Sequence, residues 1–192
     1  MQNISQTLAG RVAVTRLLPL SISELKEDAN IDTNTLMWKG FYPGVWGDGK
    51  VPGNVYDSYV STYLQRDVRQ ILNIKDLSLF QKFLTIVASR VGNVFIASSI
   101  ASELGVDYKT IQSWMSILET SYTAFLLQPF HRNIGKRMTK TPKVYFYDVG
   151  LVCHLLGIEN EQHIKTHPLR GAIFENMVVC EMLKKDTIKD LK

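Results

Sequence analysis

The chain has 192 residues, 45% hydrophobic and 21% charged, with a formal net charge of +4. That balance excludes a disordered chain and leaves room for one compact domain or two small ones, each with a core. No apolar run approaches the ~20 residues of a membrane span and the first residues lack the parts of a signal peptide, so a soluble, cytoplasmic protein without membrane contact is expected.

In chain order, Leu8 to Leu20 reads as a helix end, a Gly10-Arg11 turn and a strand from Val12 to Leu18 stopped by Pro19, with a helix start at Ser21 or Ser23 ahead of Glu24. The strand needs a sheet that nothing upstream supplies. Residues 28–53 hold Gly40, Gly44, Gly47, Gly49, Gly53, Pro43 and Pro52 among aromatics and read as an ordered surface loop. Asn54 is placed to cap a long helix to about Ile74. A cleaner stripe of Leu77, Phe80, Phe83, Leu84, Val87, Ala88 and Val91 predicts a helix from about Asp76 to Arg90, ended by Gly92.

The next pair has helix-turn-helix spacing. Ser98 or Ser99 caps a short helix with Ile100, Ala101 and Leu104 inward, Gly105 makes the turn and Val106 plugs the angle. Asp107 caps a second helix whose Ile111, Trp114, Met115 and Leu118 define the buried face. Residues 124–127 and 144–147 then read as two strands of a basic hairpin. Asp148 caps a helix carrying Leu151, Val152, Leu155 and Leu156, residues 159–170 read as a polar loop, and a last helix from Phe174 to about Lys185 places Phe174, Met177, Val178 and Met182 on one side. The expected fold is mainly α with a small β-hairpin: a winged helix-turn-helix core with flanking helices.

Charge is concentrated in that core. No acidic residue lies between Glu119 and Asp148, whereas Arg132, Lys136, Arg137, Lys140 and Lys143 all do; setting those five aside from the 22 basic residues leaves 17 against 18 acidic. A winged helix lays its second helix in the major groove while basic wing residues meet phosphates. Lys109, Gln112, Ser113 and Ser116 are the candidate contacts on the helix, and Arg132, Lys136, Arg137 and Lys140 on the wing. The helix face is poor in Arg and Asn, so weak, largely non-specific DNA binding is expected, with packing against protein, or self-association, as the competing role.

Other motifs carry less. Residues 44–51 match GxxxxGK, but Val51 replaces the magnesium-binding hydroxyl, no buried strand precedes Gly44, and Val51-Pro52-Gly53 does not read as a helix start. His163 and His167 are four apart in a polar loop with nothing spaced to complete a metal site. Cys153 and Cys180 read as buried thiols, with neither CxxC nor finger-like spacing. Glu24-Leu25-Lys26 fits an ExK fragment of a metal nuclease without the aspartate that should precede it.

Five ordered stretches resemble landmarks of prokaryotic AAA-type ATPases with a C-terminal domain of unknown function: residues 8–11 with 17–21, Lys39-Gly40-Phe41-Tyr42-Pro43, residues 59–68, residues 143–151, and Gly171-Ala172-Ile173-Phe174-Glu175-Asn176. The resemblance implies an ATPase module with Walker A and B motifs ahead of these landmarks and a restriction-endonuclease-like domain after them, with ATP and magnesium bound only in the intact family protein. It divides the chain into an ATPase tail (1–27), a glycine-rich loop and connecting helix (28–75), a winged-helix domain (76–157), and a linker with the first helix of a truncated nuclease-like domain (158–192). Arg11 corresponds to an arginine near the nucleotide, and Glu175 and Glu181 to positions on a helix that assists metal binding. The expectation is a truncated chain with no catalytic residue and no cofactor or metal of its own; the alternative is an ATP-binding family member whose nucleotide site lies outside these residues.

Overall fold

A computed structural model describes residues 17–25, 31–47, 49–63, 77–130 and 140–189, with side chains to Lys185. The chain is mainly helical, with one two-stranded antiparallel sheet among the described residues. The helices are α1 (Thr33–Lys39), α2 (Pro43–Trp46), α3 (Pro52–Tyr63), α4 (Leu77–Ser89), α5 (Ala97–Leu104), α6 (Tyr108–Thr120), α7 (Val149–Leu155), α8 (Glu161–Thr166) and α9 (Arg170–Lys189); β1 (Ala124–Leu127) and β2 (Lys143–Phe146) lie between α6 and α7.

Local chemistry sets most of these boundaries. Asp32 accepts the Asn34 N–H at 3.0 Å to start α1, and Gly40, at φ 65°, ends it. Asp107 accepts the Lys109 N–H at 2.7 Å at the start of α6, and Gly105 closes α5 in the left-handed region. The predicted stripes of α4 and α6 are buried apart from the half-buried Leu77, and Trp114 packs its ring 5.3 Å from both Phe80 and Phe83, which joins the two helices.

α7 is the centre of the packing. It touches α1, α3, α4, α9 and β2, and its Val149, Leu151, Val152 and Cys153 are at most 1% exposed. In the sheet Ala124 stands opposite Phe146 and Leu127 opposite Lys143. Val144 turns its N–H to Asn93 O and its C=O to the Gly92 N–H, at 3.0 and 2.9 Å. β2 therefore has backbone neighbours on both sides, whereas among the described residues β1 pairs with β2 alone.

Several expectations are corrected. Residues 28–53 contain two helices, α1 and α2, because Asp32 and Pro43 supply starts that the glycine count hides. α3 begins at Pro52, two residues before the predicted Asn54 cap: a proline at the first helical position loses no hydrogen bond and presets φ. Ser98 and Ser99 lie inside α5, which starts at Ala97 on the Ile96 carbonyl. The polar loop at 159–170 contains α8, capped by Asn160 on the His163 N–H.

α9 presents a different face from the one its apolar residues suggest. Ile173, Asn176, Met177, Cys180 and Lys184 are buried, while Phe174, Val178 and Met182 are exposed. The reason is polar anchoring: Asn176 makes hydrogen bonds to both the N–H and the C=O of Phe146, and the Cys180 thiol donates to the same carbonyl at 2.8 Å. Residues 12–16 of the expected strand and 64–74 of the expected long helix lie outside the described residues; Leu17 and Leu18 are not in a strand.

Candidate functional site

Among the described residues, exposed polar side chains, an apolar groove and an open strand edge meet at the α5–α6 pair and the hairpin. α6 is buried along Ile111, Trp114, Met115, Ile117 and Leu118. This turns Lys109, Gln112, Ser113 and Ser116 outward, all four exposed as expected. Gln112 Nε2 donates to the Tyr108 hydroxyl at 2.6 Å, which ties two residues of the outer face one helical turn apart. Lys140 is exposed just ahead of β2, whereas Arg132, Lys136 and Arg137 lie outside the described residues. Lys143, the last of the basic cluster, is paired at 2.9 Å with Glu175 of α9.

Between α6, the start of α5 and the hairpin runs a groove of about 580 Å³, lined by Phe95, Ile96, Tyr108, Met115, Leu126 and Pro142 among others. Ile96 and Tyr108 are half exposed, at 48% and 46%, so apolar surface opens to solvent there. Of the described residues lining the groove, Glu119 alone carries a charge, and its Oε1 accepts the Leu126 N–H at 3.3 Å. Neither Glu119 nor the groove was among the sequence candidates. Glu119 stands at the border of the acid-free interval that begins at residue 120, so a charge pattern that selects basic residues does not single it out.

A second cleft of about 350 Å³ lies between α3 and α7, lined by Trp38, Tyr56, Asp57, His154 and Glu159 among others. His154 Nε2 stands 3.4 Å from Asp57 Oδ1 and its ring stacks on Tyr56. Burial holds the imidazole below its ordinary pKa, with Asp57 opposing that shift.

Beneath this cleft Asp148, 1% exposed, gathers three donors: the Phe41 N–H and the Tyr56 hydroxyl at 2.7 Å and the Leu151 N–H at 2.9 Å. The predicted cap of α7 is thus also the tie between α7, α3 and the end of α1. Burial raises its carboxyl above the usual carboxylate range against the lowering effect of these hydrogen bonds.

The remaining candidates have structural partners. Glu175 accepts from Tyr145 at 2.6 Å and Lys143 at 2.9 Å, and those bonds hold its carboxyl below the usual range. Glu181 accepts the Ile22 N–H at 3.0 Å and Lys184 at 2.9 Å. Among the described residues no group of three His, Cys, Asp or Glu is placed to hold a metal ion. His163 and His167 face each other at 5.8 Å, but His167 Nδ1 accepts the Leu169 N–H, which puts the neutral ring's proton on Nε2, the nitrogen a metal would need.

Gly44 of the GxxxxGK stretch lies within α2, and α3 follows it from Pro52, so the objection that no helix starts there does not hold, while the missing hydroxyl at Val51 stands. Cys153 and Cys180 are buried free thiols; burial raises both, Cys180 to about 12, as expected of inert positions. Arg11 and Lys26 lie outside the described residues. Among the described residues no helix is long and apolar enough to cross a membrane.

Residues 30–162 match the model of a family described as Domain of unknown function (DUF8612). Uncharacterized proteins of Mycobacterium bovis and Mycobacterium tuberculosis are each 28% identical over 189 residues, which cover 93% of this chain and 40% of theirs. An uncharacterized protein of Haemophilus influenzae is 21% identical over 198 residues, 95% of this chain and 48% of its own. The chain thus spans less than half the length of these relatives. No solved structure matches.

Proposed function

The chain belongs to the DUF8612 family, and from that premise we propose that residues 77–157 are a non-catalytic, winged-helix-type module that docks other protein, within an AAA-type ATPase family protein. The observation that carries the reading is the groove beside α6. Its apolar lining opens to solvent at Ile96 and Tyr108, and its only charged lining residue among those described is an acid. Such a surface suits the apolar anchors of a protein partner, and a phosphate backbone would meet Glu119 as a like charge. The ATPase setting rests on the ordered resemblance in the sequence, and the greater length of the relatives is consistent with it. ATP and magnesium belong, in this reading, to a part of the family protein other than these residues.

A random-peptide phage library selected on the chain tests the docking role. Enriched peptides are expected to bind the parent and to lose binding to Ile96→Glu, which puts a charge on the groove wall. Enrichment of nothing, or of peptides indifferent to Ile96→Glu, would contradict it.

A second reading is favoured by a separate observation: Lys109, Gln112, Ser113 and Ser116 share one exposed face beside an acid-free basic interval. In this reading α6 and the β1–β2 connection contact duplex DNA weakly and without strong sequence preference, through those four residues with Arg132, Lys136, Arg137 and Lys140. Changing Lys136, Arg137 and Lys140 together to alanine is then expected to weaken binding and to reduce the log–log salt slope by up to ~2.7, about 0.9 for each phosphate no longer neutralised. Equal affinity of parent and triple variant between about 50 and 200 mM salt would end this reading.

A further inference from the structure

Among the described residues the outer edge of β1 has no strand beside it, and the register identifies which atoms face outward. Val144 spends its N–H and C=O on residues 92 and 93, so in the Leu126–Val144 pair the backbone groups of both residues point away from each other. Leu126 therefore directs its N–H and C=O away from β2. That N–H is met by the Glu119 carboxylate at 3.3 Å, a long and exposed bond from the last turn of α6. A side chain stands where a neighbouring strand would put a carbonyl. Beside it opens the groove lined by Phe95, Ile96, Tyr108, Met115 and Leu126.

We infer that this edge receives an extended peptide of alternating apolar and basic residues, which pairs with β1 at Leu126 and takes the place of the Glu119 carboxylate. The inference rests on the protein-docking reading above and names the chemistry of the partner. An extended segment points every second side chain to the same face, so its apolar residues enter the groove while its backbone carbonyl takes the Leu126 N–H. Glu119, an exposed side chain, turns out of the groove when displaced and becomes an unpaired carboxylate beside the peptide's outer face, where the basic residues lie. A lysine or arginine of the same peptide pairs with it, so that the charge that held the edge shut now selects the occupant. A nucleic acid offers neither the strand backbone nor the positive charge that this exchange uses.

The test uses two dye-labelled synthetic peptides, one alternating valine with lysine and one alternating valine with glutamate, titrated into the full chain by fluorescence anisotropy, with the Leu126 amide followed by NMR. The valine–lysine peptide is expected to bind saturably, to shift the Leu126 amide, and to bind at least about tenfold more tightly than the valine–glutamate peptide. Leu126→Pro removes the outward N–H without touching the β1–β2 ladder, as prolines on strand edges do. It is expected to weaken the lysine peptide about tenfold, the loss of one backbone hydrogen bond. Should that variant fail to fold by circular dichroism, Glu119→Lys provides the same decision, because it should reverse the preference between the two peptides.

Equal binding of both peptides to the parent, or a preference that Glu119→Lys leaves unchanged, would overturn the inference. Peptide-induced shifts at Ile96, Tyr108 and Met115 with an undisturbed Leu126 amide would overturn edge pairing while leaving groove docking intact. No shift at the groove with either peptide would overturn the inference and count against the docking reading as well.

Discussion

Asp148→Ala is expected to lower the stability of the chain by on the order of 4 kcal/mol, read as a lower urea midpoint at unchanged slope. The carboxylate accepts the Phe41 and Leu151 N–H groups and the Tyr56 hydroxyl in a site that is 1% exposed. Removing it strands two buried amides, each costing about 1–3 kcal/mol, and takes the cap from α7. The Tyr56 hydroxyl suffers least, since it also reaches Lys39 O at 3.0 Å.

Asp148 also carries a pH dependence opposite to that of most carboxylates. Burial raises its pKa in the folded chain, so the folded state holds the proton more tightly than the unfolded state does. Its contribution relative to a non-titrating Asp148→Asn chain is therefore full below the ordinary carboxylate value of ~3.9 and declines as the pH rises through the raised folded value. Glu175, lowered by Tyr145 and Lys143, runs the other way: its contribution is present above its unfolded value and is lost as the pH falls. Urea titrations of parent and Asp148→Asn across the acid range separate the two, since Glu175 is common to both chains and cancels in the difference, which leaves the Asp148 contribution.

Gly40→Ala should be as damaging, with a loss of about 3–5 kcal/mol in the same assay. Gly40 has a φ of 65°, and a methyl group there would run into the Tyr56 hydroxyl, lie 2.5 Å from Asp148 Oδ1 and lie 2.7 Å from the Gly150 Cα. None of these neighbours gives way cheaply: one is backbone and the others belong to the buried hydrogen-bond cluster. Gly105→Ala is the control, because it shares the left-handed φ of 66° but has nothing within 4 Å of the added carbon. Its expected cost is about 1 kcal/mol.

The helical middle of the chain was legible because local signals and burial agree there. The terminating geometry of α5 at Gly105, the Asp107 cap of α6, and the spacing of Ile111, Trp114, Met115 and Leu118 along α6 all act over short distances. Asp148 was legible as a cap but not as a tie, since Phe41 and Tyr56 are 107 and 92 residues away. α9 misled for a different reason. Hydrophobic periodicity selects Phe174, Met177, Val178 and Met182, of which Met177 alone is buried, because the helix is oriented by Asn176 and Cys180 bonding to the β2 backbone, a polar preference that an apolar count does not weigh. The open edge of β1 was invisible in the same way: strand residues can be read from composition, but which strand lacks a neighbour among the described residues depends on residues 92 and 93 returning beside β2.

Lys184 shows what that orientation of α9 does for the start of the described chain. Its ammonium, on a residue only 3% exposed, donates to Leu20 O at 2.7 Å and to Glu181 at 2.9 Å, and sits 4.2 Å from the centre of the Phe41 ring. Glu181 in turn holds the Ile22 N–H. Residues 20–22 are therefore fastened to the far end of the sequence by one cation and one anion whose partners are mutual. Loosening either charge takes away the other's partner and so weakens both backbone contacts together, which leaves the Leu20 N–H on Phe41 O, at 2.9 Å, as a tie of residues 20–22 that neither charge controls.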